Sequence, residues 1–381
     1  MNQLNSVRIL FLSNSKKRTK YFNQIKENCS SFKAEVYYYS NILNLKNLNY
    51  IKKNIDLSDV ISEKIEEIEF KYKKRTFFKE IYKIYIRLIT PILATNFFNY
   101  IKDNKIDVVA VWNGKKYPET VMLKIVDFLK LKKLFFENGL LPNTTVVDNK
   151  GVNYTNSLPR VPEFYKKYPI NLDKLPKRLT PRKLATKKRV LNSAELNKDY
   201  IFVPFQTSYD SQILKHSPWI KSMHELFFLM YEIANILKIN VIFKEHPSEK
   251  QVTYDNLHTI AKKNEYVEFA NANNTQDLIV NAKAIVTINS SVGLESLLFN
   301  KKVIVLGEAF YNIKDLTQSA TSKESLIEVL RNIDKWSIDL DLKDRFLSYL
   351  INEYLVEGSW KKPDENHFKH LERKINSLIK E

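Results

Sequence analysis

The sequence predicts an α/β protein built from two doubly wound, parallel-sheet domains. Short apolar, β-rich runs alternate with helical stretches in both halves of the chain. The residues able to do chemistry cluster just after those runs, where open parallel sheets bind their ligands. At 381 residues the chain is also long enough for two domains of ordinary size.

In the first half, residues 9–12, 36–39, 108–112 and 134–136 read as strands. A helical region spans roughly residues 57–102, with a break expected at Pro91. Its segment KYKKRTFFKEIYKIYIRLI mixes Ile and Phe with Lys and Arg. That pattern suits a membrane-surface helix or a solvated helix packed on the sheet, and the second reading is favoured. Residues 159–198 are rich in Pro and Lys and read as a linker. A second series follows at 200–204, 241–244, 266–269, 284–288 and 303–306, with helices expected over 223–237 and 251–263. Residues 341–381 read as two closing helices. The expected division is an acceptor-side domain over 1–190, a sugar-nucleotide domain over 191–340, and C-terminal helices packing back over 341–381.

Composition narrows the function. One cysteine, Cys29, excludes an internal disulfide and fits a reducing cytoplasm. The opening MNQLNSVRILFLSNS lacks a basic segment followed by a long apolar core, so no secretion signal is expected. The apolar run over 88–101 contains Pro91 and polar residues and falls short of a bilayer span. The net charge of +18 calls for anionic partners. Zinc spacing, an RNP-like aromatic motif and a helix-turn-helix pattern are all missing from the sequence, so no nucleic acid is expected. An anionic leaflet or an acidic sugar fits the charge better. Only six glycines occur, and five of them (Gly114, Gly139, Gly151, Gly293, Gly307) lie just after or between apolar runs.

Four strand-end clusters could carry chemistry. They are Phe135-Phe136-Glu137-Asn138-Gly139, the Val203-to-Gln212 stretch, Phe243-Lys244-Glu245-His246-Pro247, and Ser290-Ser291 with Glu295 one turn later. Asn113 closes a further apolar run. Each has a plain alternative. Glu137 could be a surface carboxylate, and Asp210 could cap the following helix. His246-Pro247 could be a rigid turn, and the two serines could be N-caps alone. Glu295 lies four residues after Ser291, one too many for a capping box, so both side chains share one helix face. A strand ending in small hydroxyl residues at a helix start also suits a phosphate or carboxylate.

The segments FVPFQTSYDSQI, FKEHP and NSSVGLESLLFNKKVIVLGEAFY resemble the signature segments of the capsular polysaccharide biosynthesis family. FFENGLLPNTTVVDNKGVNYTNSLPR is similar to that family's acidic segment. The resemblance runs from about residue 108 to 313 and suggests a single-module member. It implies a GT-B-like fold with a cleft between the domains, and a β-Kdo transferase using CMP-β-Kdo (Kdo is 3-deoxy-D-manno-octulosonic acid). Asp210 would match the catalytic aspartate of a retaining enzyme, Glu137 the second carboxylate, and His246 a further catalytic group. His246-Pro247 and Ser290-Ser291 would hold the CMP phosphate and the sugar, and Glu295 would face the ribose. Asn113, Asn138, Gly139, Gln206, Lys244 and Gly293 complete the expected substrate contacts. Phe205 and Tyr209 depart from the family's pattern.

The resemblance implies an anionic glycolipid acceptor, such as lyso-phosphatidylglycerol or a Kdo already on it. It also implies peripheral contact with the cytoplasmic face of the inner membrane, and other capsule-synthesis proteins as partners. No cofactor or metal is expected. A sialic acid or other CMP-sugar transferase, and a non-catalytic basic capsule-assembly protein, are the competing readings.

Overall fold

The computed structural model describes residues 7–38, 44–71, 77–179, 192–196, 199–207, 211–249 and 252–380. Among them the strands are β1 Arg8–Ser13, β2 Lys33–Tyr38, β3 Val108–Trp112, β4 Lys132–Asn138, β5 Thr144–Asp148, β6 Tyr200–Pro204, β7 Asn240–Lys244, β8 Val267–Phe269, β9 Ala284–Thr287, β10 Lys302–Val305, β11 Gln318–Ser319 and β12 Val356–Glu357. They form two six-stranded sheets, ordered β12-β5-β4-β3-β1-β2 and β11-β10-β9-β6-β7-β8. The chain divides into two compact units. The first takes the chain up to Gly139, then Asn143–Val152 and the stretch from Val356 onward; the second takes Leu140–Pro142 and Asn153–Leu355.

In the first unit β2, β1, β3 and β4 run parallel, while β5 pairs antiparallel with β4 and β12 antiparallel with β5. This sheet is therefore mixed, not wholly parallel as expected. The turn at 139–143 is too short to hold a helical crossover, so the chain must return antiparallel. The central strand β3 is buried along its whole length, as its uninterrupted apolar run VVAVW requires. One core joins Phe11, Trp112 and Phe136 of the sheet to Tyr21 and Phe22 of helix Lys16–Asn28 and to Leu371 and Ile375 of helix Glu365–Lys380.

Two expectations fail in this unit. Pro91 does not break the helical region, because one helix runs from Phe77 to Asp103 straight through it. Pro91 forfeits a single backbone bond, a cost of roughly 3 kcal/mol. Buried Ile86, Leu93, Ala94 and Phe97 on both sides hold the helix in place and offset that cost. The expected strand 36–39 begins earlier, at Lys33, and Tyr39 lies outside the described residues.

The second unit follows the doubly wound order, with every pair parallel. β6, YIFVP, is central and fully buried, and β7 and β9 flank it. Helix Met223–Leu237 starts where expected, because the Ser222 side chain accepts a hydrogen bond from the Glu225 backbone N–H. The helix expected over 251–263 is shorter, Asp255–Ala261, and Gln251 lies outside the described residues.

The chain leaves the first unit at Val152, ahead of the division expected at residue 190. Beyond that point Tyr165 packs edge-on against Phe346 at 5.1 Å. Arg345 Nη1 donates to the Tyr168 carbonyl at 2.8 Å. These contacts tie the Pro-rich stretch to helix Leu340–Tyr349 of the same unit. The two closing helices also part company: Leu340–Tyr349 belongs to the second unit and Glu365–Lys380 to the first.

Candidate functional site

Two strand-end clusters emerge, one in each unit. In the first, β1 and β3 flank the point where strand order reverses, and β4 lies beside them. Asn113, directly after β3, takes a left-handed backbone (φ 68°), which Asn tolerates better than most residues. Its Nδ2 donates to Glu137 Oε2 at 2.5 Å. Glu137 Oε1 accepts from the Asn138 backbone N–H at 2.8 Å and from Asn138 Nδ2 at 2.7 Å. Asn138 is itself held by Trp360 Nε1, which donates to its Oδ1 at 2.9 Å. The structure thus brings Asn113, Glu137 and Asn138 together as one constellation around a carboxylate. Gly139 sits beside it for a steric reason, since a Cβ there would fall 2.0 Å from Thr144 Oγ1.

Two charged groups absent from the expected set complete this cluster. Glu119 is only 2% exposed. Its Oε2 accepts from the Gly114 backbone N–H at 3.1 Å, and its Oε1 lies 3.6 Å from Arg18 Nη1. Burial pushes its carboxyl up to about 7; Glu137 adds to the rise, while Arg18 and the Gly114 N–H oppose it. The Arg18 guanidinium stacks over Trp112 at 5.0 Å and feels both Glu119 and Glu137. Burial lowers its pKa, and the two carboxylates pull the other way. Neither residue carries a sequence signal. Arg18 is one of several basic residues in KKRTK, and Glu119 looks like an ordinary first-turn helix acid.

In the second unit, the order reverses between β6 and β9. Two side chains bridge the ends of those strands. Gln206 Nε2 donates to Asn289 Oδ1 at 3.0 Å, and the Asn289 backbone N–H donates to Gln206 Oε1 at 3.3 Å. Asn289 Nδ2 donates onward to the His216 carbonyl at 3.0 Å. Ser290 caps helix Ser291–Leu297, its hydroxyl accepting from the Val292 N–H at 3.2 Å. That helix has only seven residues, so its end offers less positive potential than a long helix would. Tyr311, fully buried, donates its hydroxyl to the Ser290 carbonyl. Gly293 makes room for it, because a Cβ would lie 2.3 Å from the Tyr311 oxygen. Burial raises the Tyr311 phenol far above its usual range, and the nearby Glu295 adds to the rise.

The FKEHP segment divides its labour. Lys244 turns its ammonium to the carbonyls of Asn271 and Asn273, each at 2.7 Å, fastening β7 to the loop after β8. His246 Nδ1 accepts from the Ser248 backbone N–H at 3.1 Å, which in a neutral ring puts the proton on Nε2. Pro247 follows it in the same turn. Beneath lies a buried network: Glu245 Oε1 meets His258 Nε2 at 2.7 Å and Asn271 Nδ2 at 2.9 Å. His258 stacks on Phe269 at 4.0 Å. Glu245, His258 and Asn271 therefore fix the backbone that carries His246. Asp210 lies outside the described residues. Among the described residues no group of His, Cys, Asp and Glu could hold a metal ion.

Two α/β sheets of Rossmann type, each with polar groups gathered at the ends of its strands, define a GT-B-like protein. The KpsC beta Kdo 2,7 transferase of Thermosulfurimonas dismutans has the same fold, with a TM-score of 0.51 at 14% identity over 97% of this chain and 99% of that one. Residues 176–360 match the family model for capsule polysaccharide biosynthesis proteins. Protein FixF of Sinorhizobium fredii is 35% identical over 318 residues, covering 83% of this chain and 74% of that protein. The capsule polysaccharide export protein KpsS of Escherichia coli is 25% identical and covers 49% of this chain and 63% of its own length. The chain belongs to the capsule polysaccharide biosynthesis family.

Proposed function

We propose that this chain is a glycosyltransferase that moves Kdo from CMP-β-Kdo to a lipid-linked acceptor in capsule-linker synthesis. Family membership supports the reading, as does a fold shared with a transferase of that sugar. The observation that carries it is the Glu137 carboxylate, gripped by three donors from Asn113 and Asn138 at a strand end. A carboxylate positioned this firmly suits a general base.

In the proposed reaction the bond from the anomeric carbon to the CMP phosphate oxygen breaks, and CMP leaves with the electron pair. The acceptor hydroxyl bonds to the sugar, and Glu137 takes its proton. Asp210 stabilises the developing positive charge and attacks the anomeric carbon as CMP leaves. The acceptor oxygen then displaces the Asp210 carboxylate, which departs with its electron pair, and the two inversions give retention. His246, Ser290 and Ser291 hold the phosphate, and Glu295 faces the ribose. CMP departs as a stable phosphate, so the scheme calls for no metal.

The test is CMP release from CMP-Kdo or from CMP-sialic acid, with lyso-phosphatidylglycerol as acceptor. Release from CMP-Kdo alone is expected. Release from CMP-sialic acid alone would turn the reading to the sialyl alternative, and release from neither would overturn transfer. Asp210→Ala should abolish transfer while leaving CMP binding intact; unchanged turnover would remove its assigned role.

A further inference from the structure

Among the described residues, the first three turns of helix Phe77–Asp103 are exposed on one side. Phe77 (77% exposed), Phe78 (80%), Ile81, Ile84, Tyr85 and Leu88 (67%) all stand in solvent. At 3.6 residues per turn they share one contiguous face, roughly half of the helix circumference, with no charge inside it. Tyr82 stacks on Tyr85 at 6.2 Å along the same face. The opposite side behaves differently. Ile86 and Thr90 are buried, and Lys83 turns to Glu69 at 2.5 Å and Glu80 at 2.7 Å. Lys79 also pairs with Glu69. Ion pairs with the helix's own neighbours thus satisfy the lysines that face inward. Among the described residues nothing comparable covers the apolar arc, and an exposed apolar face this broad marks an interaction surface.

We infer that this face is a membrane-docking surface that seats the first unit on an anionic bilayer. Charge selects the occupant. Residues 71–87 of the sequence carry seven Lys or Arg against one Glu; Lys79 and Lys83 pair with Glu69, and the other five add to a chain of net charge +18. A bilayer surface offers both complements at once: an apolar layer for Phe, Ile and Leu, and anionic headgroups for the flanking cations. Tyr82 and Tyr85 have the amphipathic rings that settle at headgroup depth. Arg87 is exposed beside the arc, where it can reach a phosphate. The helix lies on the membrane and does not cross it, since no helix among the described residues is long and apolar enough to span one. This surface stands apart from the sugar-transfer reading, because vesicle binding needs no sugar nucleotide.

The experiment is co-sedimentation of the full chain with vesicles of phosphatidylcholine, with and without phosphatidylglycerol. Wild type should bind the anionic vesicles, and added salt should weaken that binding. The triple variant Phe78→Ser, Ile81→Ser, Leu88→Ser should lose roughly 10²-fold in partitioning while unfolding at the wild-type temperature. Phe228→Ser, which removes an exposed aromatic of the second unit, should bind like wild type. Equal binding by the triple variant would overturn the assignment, as would wild type that ignores anionic vesicles. Self-association that the triple variant dissolves, without vesicle binding, would give the face to a second copy of the chain instead.

Discussion

The two strand-end clusters sit at comparable points of their sheets, yet they are built from opposite materials. In the first unit the cluster centres on charged groups: half-buried Glu137, held by the amides of Asn113 and Asn138, with Glu119 and Arg18 drawn into the apolar surroundings of Trp112. In the second the bridging groups are neutral amides and hydroxyls, Gln206, Asn289 and Ser290. Buried Glu245 is spent on fixing the loop. Neutral donors in a fixed array suit holding a phosphate, because they bind charge without titrating. Carboxylates in a partly buried array suit moving a proton, because burial tunes when they titrate. In the proposed reading, the second unit binds the sugar nucleotide and the first carries the proton chemistry.

The comparison can be broken first at Glu137. Glu137→Gln keeps the shape but removes the base, so transfer should fall by roughly 10²–10⁴-fold in a turnover assay. A variant as active as wild type would strip the first cluster of its assigned chemistry.

Glu119 sharpens the contrast through pH. Its carboxyl ordinarily titrates at 4.5, but the folded protein holds the proton up to about 7. Between those values the folded state binds more protons than the unfolded chain, so stability falls as pH rises through that window. The full difference amounts to about 3 kcal/mol. Denaturant unfolding at pH 5 and pH 8 should show wild type losing stability relative to Glu119→Gln. Parallel profiles for the two proteins would mean that Glu119 is ionised throughout.

Most of the second unit was legible in the sequence. The runs 200–204 and 284–288, closed by Pro, Asn and Ser, became buried strands Tyr200–Pro204 and Ala284–Thr287, as continuous apolar runs require. The first unit hid more. TTVVD forms β5, but its short apolar stretch sat inside a segment read for its acid. The exposed arc of helix Phe77–Asp103 was visible as a pattern, though only coordinates separate a face turned to solvent from one turned to the sheet. Arg18 and Glu119 could not have been found, because their partnership joins distant stretches of chain and depends on burial. Glu137 and His246 were singled out through strand-end position and the family resemblance. What positions them, Asn113 for the one and the Glu245–His258 network for the other, belongs to tertiary structure.

The most direct measurement of the divided labour is CMP binding by titration calorimetry to wild type, Glu137→Gln and Ser290→Ala. CMP should bind wild type and Glu137→Gln equally, and bind Ser290→Ala roughly tenfold more weakly, about the worth of one hydrogen bond to a charged group. Loss of CMP binding in Glu137→Gln, with Ser290→Ala unaffected, would contradict the assignment of the sugar nucleotide to the second unit.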